Sequence, residues 1–196
     1  MRQRGISLIE LIMFIVIVSV ALAGILGVMN IVTRNSADPL IHKQALAIAE
    51  SLLEEVELMP FTFCDPNDVN AASAVGASDC STGMDQNKGG APLTSATPAT
   101  ENRWLSSDPF DNVADYGGFV MDTGICDITN TTRTCTTPIS GLGGYQARVD
   151  VTRTGSALGL GSDDVALRIS VTVSGADGVP VTMDGIRARY APTAVP

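Results

Sequence analysis

The chain opens Met1-Arg-Gln-Arg-Gly5-Ile6-Ser-Leu-Ile-Glu10-Leu-Ile-Met-Phe-Ile15 and then stays apolar as far as Val32. From Ile6 to Val32 the only charged side chain is Glu10. As a helix this segment would be roughly 40 Å long at 1.5 Å per residue, enough to cross a bilayer core of about 30 Å. Arg2 and Arg4 precede it, and no basic residue follows until Arg34. That asymmetry predicts a cytoplasmic amino end and a C-terminal domain on the far side of the membrane.

A secretory signal peptide would explain part of this pattern, and Ala21-Leu22-Ala23 imitates its small-residue cleavage site. The apolar run nevertheless continues from Gly24 to Val32, and a carboxylate sits in what should be an uncharged segment. A plain signal anchor explains the length but neither Glu10 nor the Arg4-Gly5-Ile6 junction. An acid in a membrane segment costs a few kcal/mol near mid-bilayer and less near the edge, so Glu10 should have a partner.

Arg-Gly followed by Ile-Ser-Leu-Ile-Glu-Leu-Ile resembles the signature of type IV prepilins, which also marks the pseudopilins of type II secretion. Basic leader, small residue, hydroxyl, acid and apolar run all stand at that family's spacing. The resemblance implies that a prepilin peptidase/methyltransferase of the inner membrane cuts after Gly5 and methylates the new N-terminus at Ile6. It also implies that Glu10 neutralises the terminal amine of an adjacent subunit during assembly. Opposite charges in a poor dielectric lower each other's burial cost.

The remaining chain fits the same expectation. Residues 1–5 form the leader and residues 6–33 the membrane and assembly helix, loosened by Gly24 and Gly27. A break or kink is expected at Asp38-Pro39, with Asp38 capping a second helix over 38–59. There Ile41, Ala45, Ile48, Leu52, Val56 and Met59 recur at three- and four-residue spacing, with Ala49 and Leu53 beside them. Pro60 ends that helix, and residues 60–196 form the head.

Residues 64–112 show no sustained period and predict a long surface loop, with Trp104 and Phe110 pinning its end to the core. This loop stands where pilins carry their variable segment between helix and sheet. Beyond it Tyr145, Ala147, Val149 and Val151 alternate with polar residues, and Val165, Leu167, Ile169, Val171 and Val173 do so more strongly. A further strand is expected from about Val179 to Tyr190 after a turn at Gly175–Gly178. Its apolar phase slips at Asp184-Gly185, which predicts a bulge there or a tight hairpin. The fold expected is α+β: a long N-terminal helix packed on three or four antiparallel strands, the fourth supplied by Gly118–Asp122, as in pilins.

The head's chemistry looks structural. The formal net charge is −9, with 12 basic against 21 acidic residues, which excludes nucleic acid as a partner. Cys64, Cys80, Cys126 and Cys135 all lie past the membrane segment, in an oxidising compartment. Three pairings are open. Cys64–Cys80 with Cys126–Cys135 is favoured, because each closes a polar loop whose ends could meet locally. Zinc is disfavoured, since there is no C-x-x-C spacing and the single histidine, His42, falls on the helix. Asp108, Asp111 and Asp115 could offer oxygen ligands to calcium. The Asp-x-Asp-x-Asp-Gly loop is missing, however, and Asp-Pro and Asp-Asn are ordinary turn formers, so neither metal nor cofactor is expected. Neither a Gly-x-Ser-x-Gly elbow nor a Walker loop is present, and no enzyme is expected.

Phe110-Asp-Asn-Val-Ala-Asp-Tyr-Gly-Gly-Phe119, Ala45–Glu55 and Phe63-Cys-Asp-Pro66 resemble segments of minor pilins of the mannose-sensitive haemagglutinin (MSHA) system, the D-type in particular. That resemblance implies a minor pilus subunit that helps initiate or cap assembly, with other major and minor pilins as partners. Such a chain would reside in the bacterial inner membrane and at the pilus surface. The alternatives are a minor pseudopilin of type II secretion and a membrane-anchored adhesin.

Overall fold

A computed structural model describes residues 8–86, 100–127, 134–190 and Thr193, with only the helix backbone described over 31–38. One helix, α1, runs over Leu8–Leu58. Four strands follow: β1 (Val120–Met121), β2 (Gln146–Arg153), β3 (Ala166–Ser174) and β4 (Pro180–Ala188). The chain divides into two compact units, Met1–Ile41 and His42–Pro196.

The break expected at Asp38-Pro39 does not interrupt the helical backbone: α1 continues through Pro39. Proline lacks the amide that would bond four residues back, so one rung is missing where the helix persists. The boundary between the two units falls two residues later, after Ile41.

In the C-terminal unit α1 behaves as its periodicity predicts. Ala45, Ala49, Leu52, Leu53 and Val56 are buried, whereas Lys43, Glu50 and Glu54 are exposed. The sheet is a single antiparallel layer in the order β1-β2-β3-β4. The inward positions of β2 and β3 (Ala147, Val149, Val151, Leu167, Ile169, Val171 and Val173) are all buried. Each such valine, leucine or isoleucine side chain contributes about 1.5–3 kcal/mol by leaving water. Helix and sheet meet where Leu53 and Glu57 approach Gly185, where the Tyr145 hydroxyl donates to Gln44 Oε1, and where Arg187 donates to the Met59 carbonyl at 3.1 Å.

The bulge expected at Asp184-Gly185 is absent. β4 pairs with β3 in unbroken register from Ser174↔Pro180 to Ala166↔Ala188. The apolar phase slips for a different reason. Val181, Met183, Gly185 and Arg187 hold the inward positions, and Ile186 is exposed on the outer face. A β-carbon at Gly185 would collide with Glu57 Oε1 and lie 3.0 Å from Leu53 Cδ1. The helix presses so close there that glycine replaces the apolar residue that alternation calls for.

The loop after Pro60 is irregular, as expected, but it does not lie only on the surface. Phe61, Thr62, Cys64, Asp65, Asp68, Ala71, Ala74, Gln86, Glu101, Arg103, Trp104 and Asn112 are buried. Trp104 and Phe110 anchor its far end in an aromatic group around Phe119, at ring-centre distances of 5.3 and 5.7 Å. The edge-on contact of Phe110 with Tyr116 at 4.9 Å joins that group.

Candidate functional site

At the N-terminus, Gly5 and Ile6 lie outside the described residues. Glu10 stands in the first turn of α1 and is exposed. Among the described residues no side chain pairs with it. The segment Leu8–Asn30, 23 residues, is long and apolar enough to cross a membrane, and none of it is buried. Leu8, Phe14, Ile17, Val20 and Leu26 each present more than half of their surface. The Ser19 hydroxyl turns back to the Ile15 carbonyl at 2.7 Å, satisfying itself within the helix. Apolar surface of this extent is unfavourable in water.

The head carries a second unusual arrangement. Asp65 follows the Cys64 bridgehead, Glu101 lies before the Arg103-Trp104 anchor, and Asp111 and Asp115 belong to the turn around the short 3-10 helix Val113–Tyr116. Carboxylate oxygens of Asp65, Glu101 and Asp111 fall within 4.8 Å of one another. Asp65 Oδ1 accepts the Asn67 amide at 2.7 Å, and Asp111 Oδ2 accepts Asn67 Nδ2 at 3.1 Å. Asp115 Oδ2 accepts the amides of Asn112 at 2.7 Å and Asp111 at 3.2 Å. Asn112 completes a capping box by accepting the Ala114 amide and donates to Thr62 Oγ1 at 2.7 Å. The turn is therefore rigid on its protein side.

The inner side is different. Both oxygens of Glu101, Oδ1 of Asp111 and Oδ1 of Asp115 are buried without a hydrogen-bond partner. Burial, then the charges of Asp115 and Asp65, pushes the Glu101 carboxyl up to about 11. Burial, then Asp65 and Asp108, raises Asp111 to about 6. Asp115 rises to about 7, again chiefly by burial.

Of the sequence candidates, Asp111 and Asp115 belong to this cluster, while Asp108 stays half-buried beside it. Asp65 and Glu101 carried no metal-ligand signal in the sequence, since each stands far from Asp111 and Asp115 along the chain. A second set, Cys64, Asp68 and Cys80, also stands close together. Its two sulfurs are bonded to each other, and Asp68 is engaged by Asn70 and Ser81, so it offers nothing to a metal.

Both disulfides, Cys64–Cys80 and Cys126–Cys135, are present, with Cα–Cα distances of 5.3 and 5.7 Å. No family model matches the chain, and neither a curated protein nor a solved structure matches it at a significant level. What stands is an α+β chain with an apolar N-terminal helix, a four-stranded antiparallel sheet and a disulfide-stapled loop, an arrangement compatible with a pilin fold.

Proposed function

We propose that the chain is a minor type IV pilin of the MSHA kind, made as a prepilin and held first in the bacterial inner membrane and then in the filament by α1. The observation that carries this reading is Glu10: one carboxylate, exposed near the start of an otherwise uncharged apolar helix. Cleavage after Gly5 would create an α-amine at Ile6, four residues before Glu10. Pairing with that amine on an adjacent subunit satisfies both charges away from water. The apolar face then packs against neighbouring helices, and the acidic head stays outside. The protein acts as a structural subunit that helps initiate or cap the pilus, with no catalysis of its own. Its partners are the prepilin peptidase/methyltransferase and other pilins.

Mass spectrometry of the chain extracted from membranes tests the processing step. A mature N-terminus at Ile6 carrying one methyl group is expected; a start at Leu22 or Gly24, or an intact Met1, overturns the reading. Glu10→Ala tests assembly separately. It should abolish incorporation into pili while leaving the chain in the membrane, and unchanged incorporation and pilus number would reject the role assigned to Glu10.

A further inference from the structure

Asp65, Glu101, Asp111 and Asp115 place four carboxylates in one buried region of the head, and among the described residues no basic side chain pairs with any of them. The arginines in described ion pairs are committed elsewhere: Arg103 to Glu55, Arg148 to Asp150 and Arg153 to Asp164. Glu101 is only 5% exposed and Asp115 2%. The oxygens they aim inward, with Oδ1 of Asp111, lack any donor. Sharing protons is an incomplete remedy. A proton between Glu101 and Asp65 satisfies one contact and leaves the inward oxygens of Asp111 and Asp115 unpaired. Uncompensated charges of one sign in a dry site are costly, and a cation held by Asp65, Glu101 and Asp111 lowers that cost.

We propose that Asp65, Glu101 and Asp111, with Asp115 beside them, form a calcium site that ties the beginning of the long loop to its end. The donor set is oxygen alone, with neither imidazole nor thiolate, which selects a hard cation. Calcium takes six to eight oxygens at about 2.3–2.6 Å, including bidentate carboxylates, so opposite ligands stand about 4.8 Å apart. Magnesium demands octahedral geometry and keeps several waters, which suits poorly a set of oxygens shut away from solvent. Asn67 and Asn112 brace the ligands from behind: Asn67 bridges Asp65 and Asp111, and the Asn112 amide holds Asp115. A filled site would join residue 65, next to the Cys64–Cys80 bridge, to residues 101–115, next to the aromatic anchor. The inference is independent of how the chain assembles through α1.

The test uses the full chain in detergent, stripped of metal with EGTA. Equilibrium dialysis with radioactive calcium measures binding, and Trp104 fluorescence follows thermal unfolding. One calcium per chain is expected, with Tm rising by roughly 5–10 °C at saturation and much less in equal magnesium. Glu101→Gln and Asp111→Asn should each weaken calcium binding by about a hundredfold or more, given that loss of mere supporting groups already costs 10–100-fold. Because they remove repulsion, both variants should remain folded in EGTA with Tm at or above that of the parent chain. Glu54→Gln, an exposed helix position, should bind as the parent does. An unmoved Tm with no bound calcium, an equal response to magnesium, or undiminished binding by Glu101→Gln would each overturn the site. So would a matching loss in Glu54→Gln, which would mark a general surface-charge effect.

Discussion

Glu55 and Arg103, 48 residues apart in sequence, meet in a two-point ion pair in which Arg103 Nε and Nη2 each stand 2.7 Å from a separate carboxylate oxygen. The same Glu55 Oε1 accepts the Tyr116 hydroxyl at 2.7 Å, and Arg103 Nη1 donates to the Cys126 carbonyl at 2.9 Å. One pair therefore fastens α1 to three segments of the head: the loop end, the 3-10 helix and the second disulfide. Burial opposes the charge on Arg103, but Glu55 outweighs it and holds the guanidinium above its ordinary value. The Tyr116 hydroxyl is pushed up, first by burial and then by the Glu55 charge.

Replacing Arg103 by Met should be severe, because the Glu55 carboxylate would keep Tyr116 and lose its counter-charge. The side chains are 9% and 17% exposed, and breaking such a pair costs about 3 kcal/mol or more. Arg103→Lys keeps the charge without the planar fork and should recover part of that loss. The double change Glu55→Met with Arg103→Met should be milder than the sum of the two single changes, because each single leaves an orphan. Urea unfolding followed by Trp104 fluorescence measures all four chains. An Arg103→Met chain within about 1 kcal/mol of the parent would refute the role given to the pair.

Gly185 is set by contact with the helix. Gly185→Ala places a methyl group against Glu57 Oε1 and Leu53 Cδ1. The Glu57 terminus can swing away, but Leu53 is buried. A loss of about 1 kcal/mol is expected for Ala and up to about 3 kcal/mol for Val. Adding Glu57→Ala should relieve the Ala variant more than it helps the parent chain. If Gly185→Val is as stable as the parent, the close approach of β4 to α1 is wrong.

The apolar periods made most of this architecture readable. The four-residue stripe of α1 and the two-residue alternation of β2 and β3 are strong because one face of each is buried, although Ile41, Ile48, Met59 and Val165 at the ends and edge of these patterns are only half-buried. β4 was misread because alternation records side-chain chemistry, whereas Gly185 records how closely the Glu57 and Leu53 side chains approach the strand and Arg187 reaches inward to the Met59 carbonyl just past the helix end. At Pro39 the backbone stays helical, because one missing rung does not force a helix to end. The candidate site was legible only in part. Asp111 and Asp115 are close in sequence, but Asp65 and Glu101 join them through long-range folding of a segment with no period at all. Arg103 was overlooked for the same reason, although Glu55 lies three residues past Leu52 and therefore beside the buried stripe.

Asp68 provides a test in acid. Burial pushes its carboxyl up, but the hydroxyl and amide of Ser81 and the amide of Asn70 outweigh that and hold it below the ordinary value of 3.8. A carboxyl depressed in the folded state stabilises fully above its unfolded pKa and loses the effect as pH falls through the folded one. The contribution is thus complete at pH 7 and fades below about pH 4. Asp68→Asn should be less stable than the parent by about 2 kcal/mol at neutral pH, the scale of hydrogen bonds to a charged group, and the gap should close in acid. Urea titrations at pH 7 and pH 3 measure it. A gap that stays constant would show that the charge does not matter there.

The two disulfides should differ in weight. Loop-closure entropy alone makes them similar: about 3 kcal/mol for the Cys64–Cys80 loop and slightly less for the shorter Cys126–Cys135 loop. The first, however, also packs. Cys64 is fully buried in a small apolar cluster with Ala71 and Ala74, flanked by Phe63 and Cys80, so replacing both sulfurs by alanine leaves space that small neighbours cannot fill. It also holds Asp65 in place beside Glu101 and Asp111. Removing Cys64 and Cys80 together should therefore cost more than removing Cys126 and Cys135, and only the first pair should weaken calcium binding as well. Equal losses from the two double variants would reduce both bonds to simple chain tethers, and the packing role assigned to Cys64 would fall.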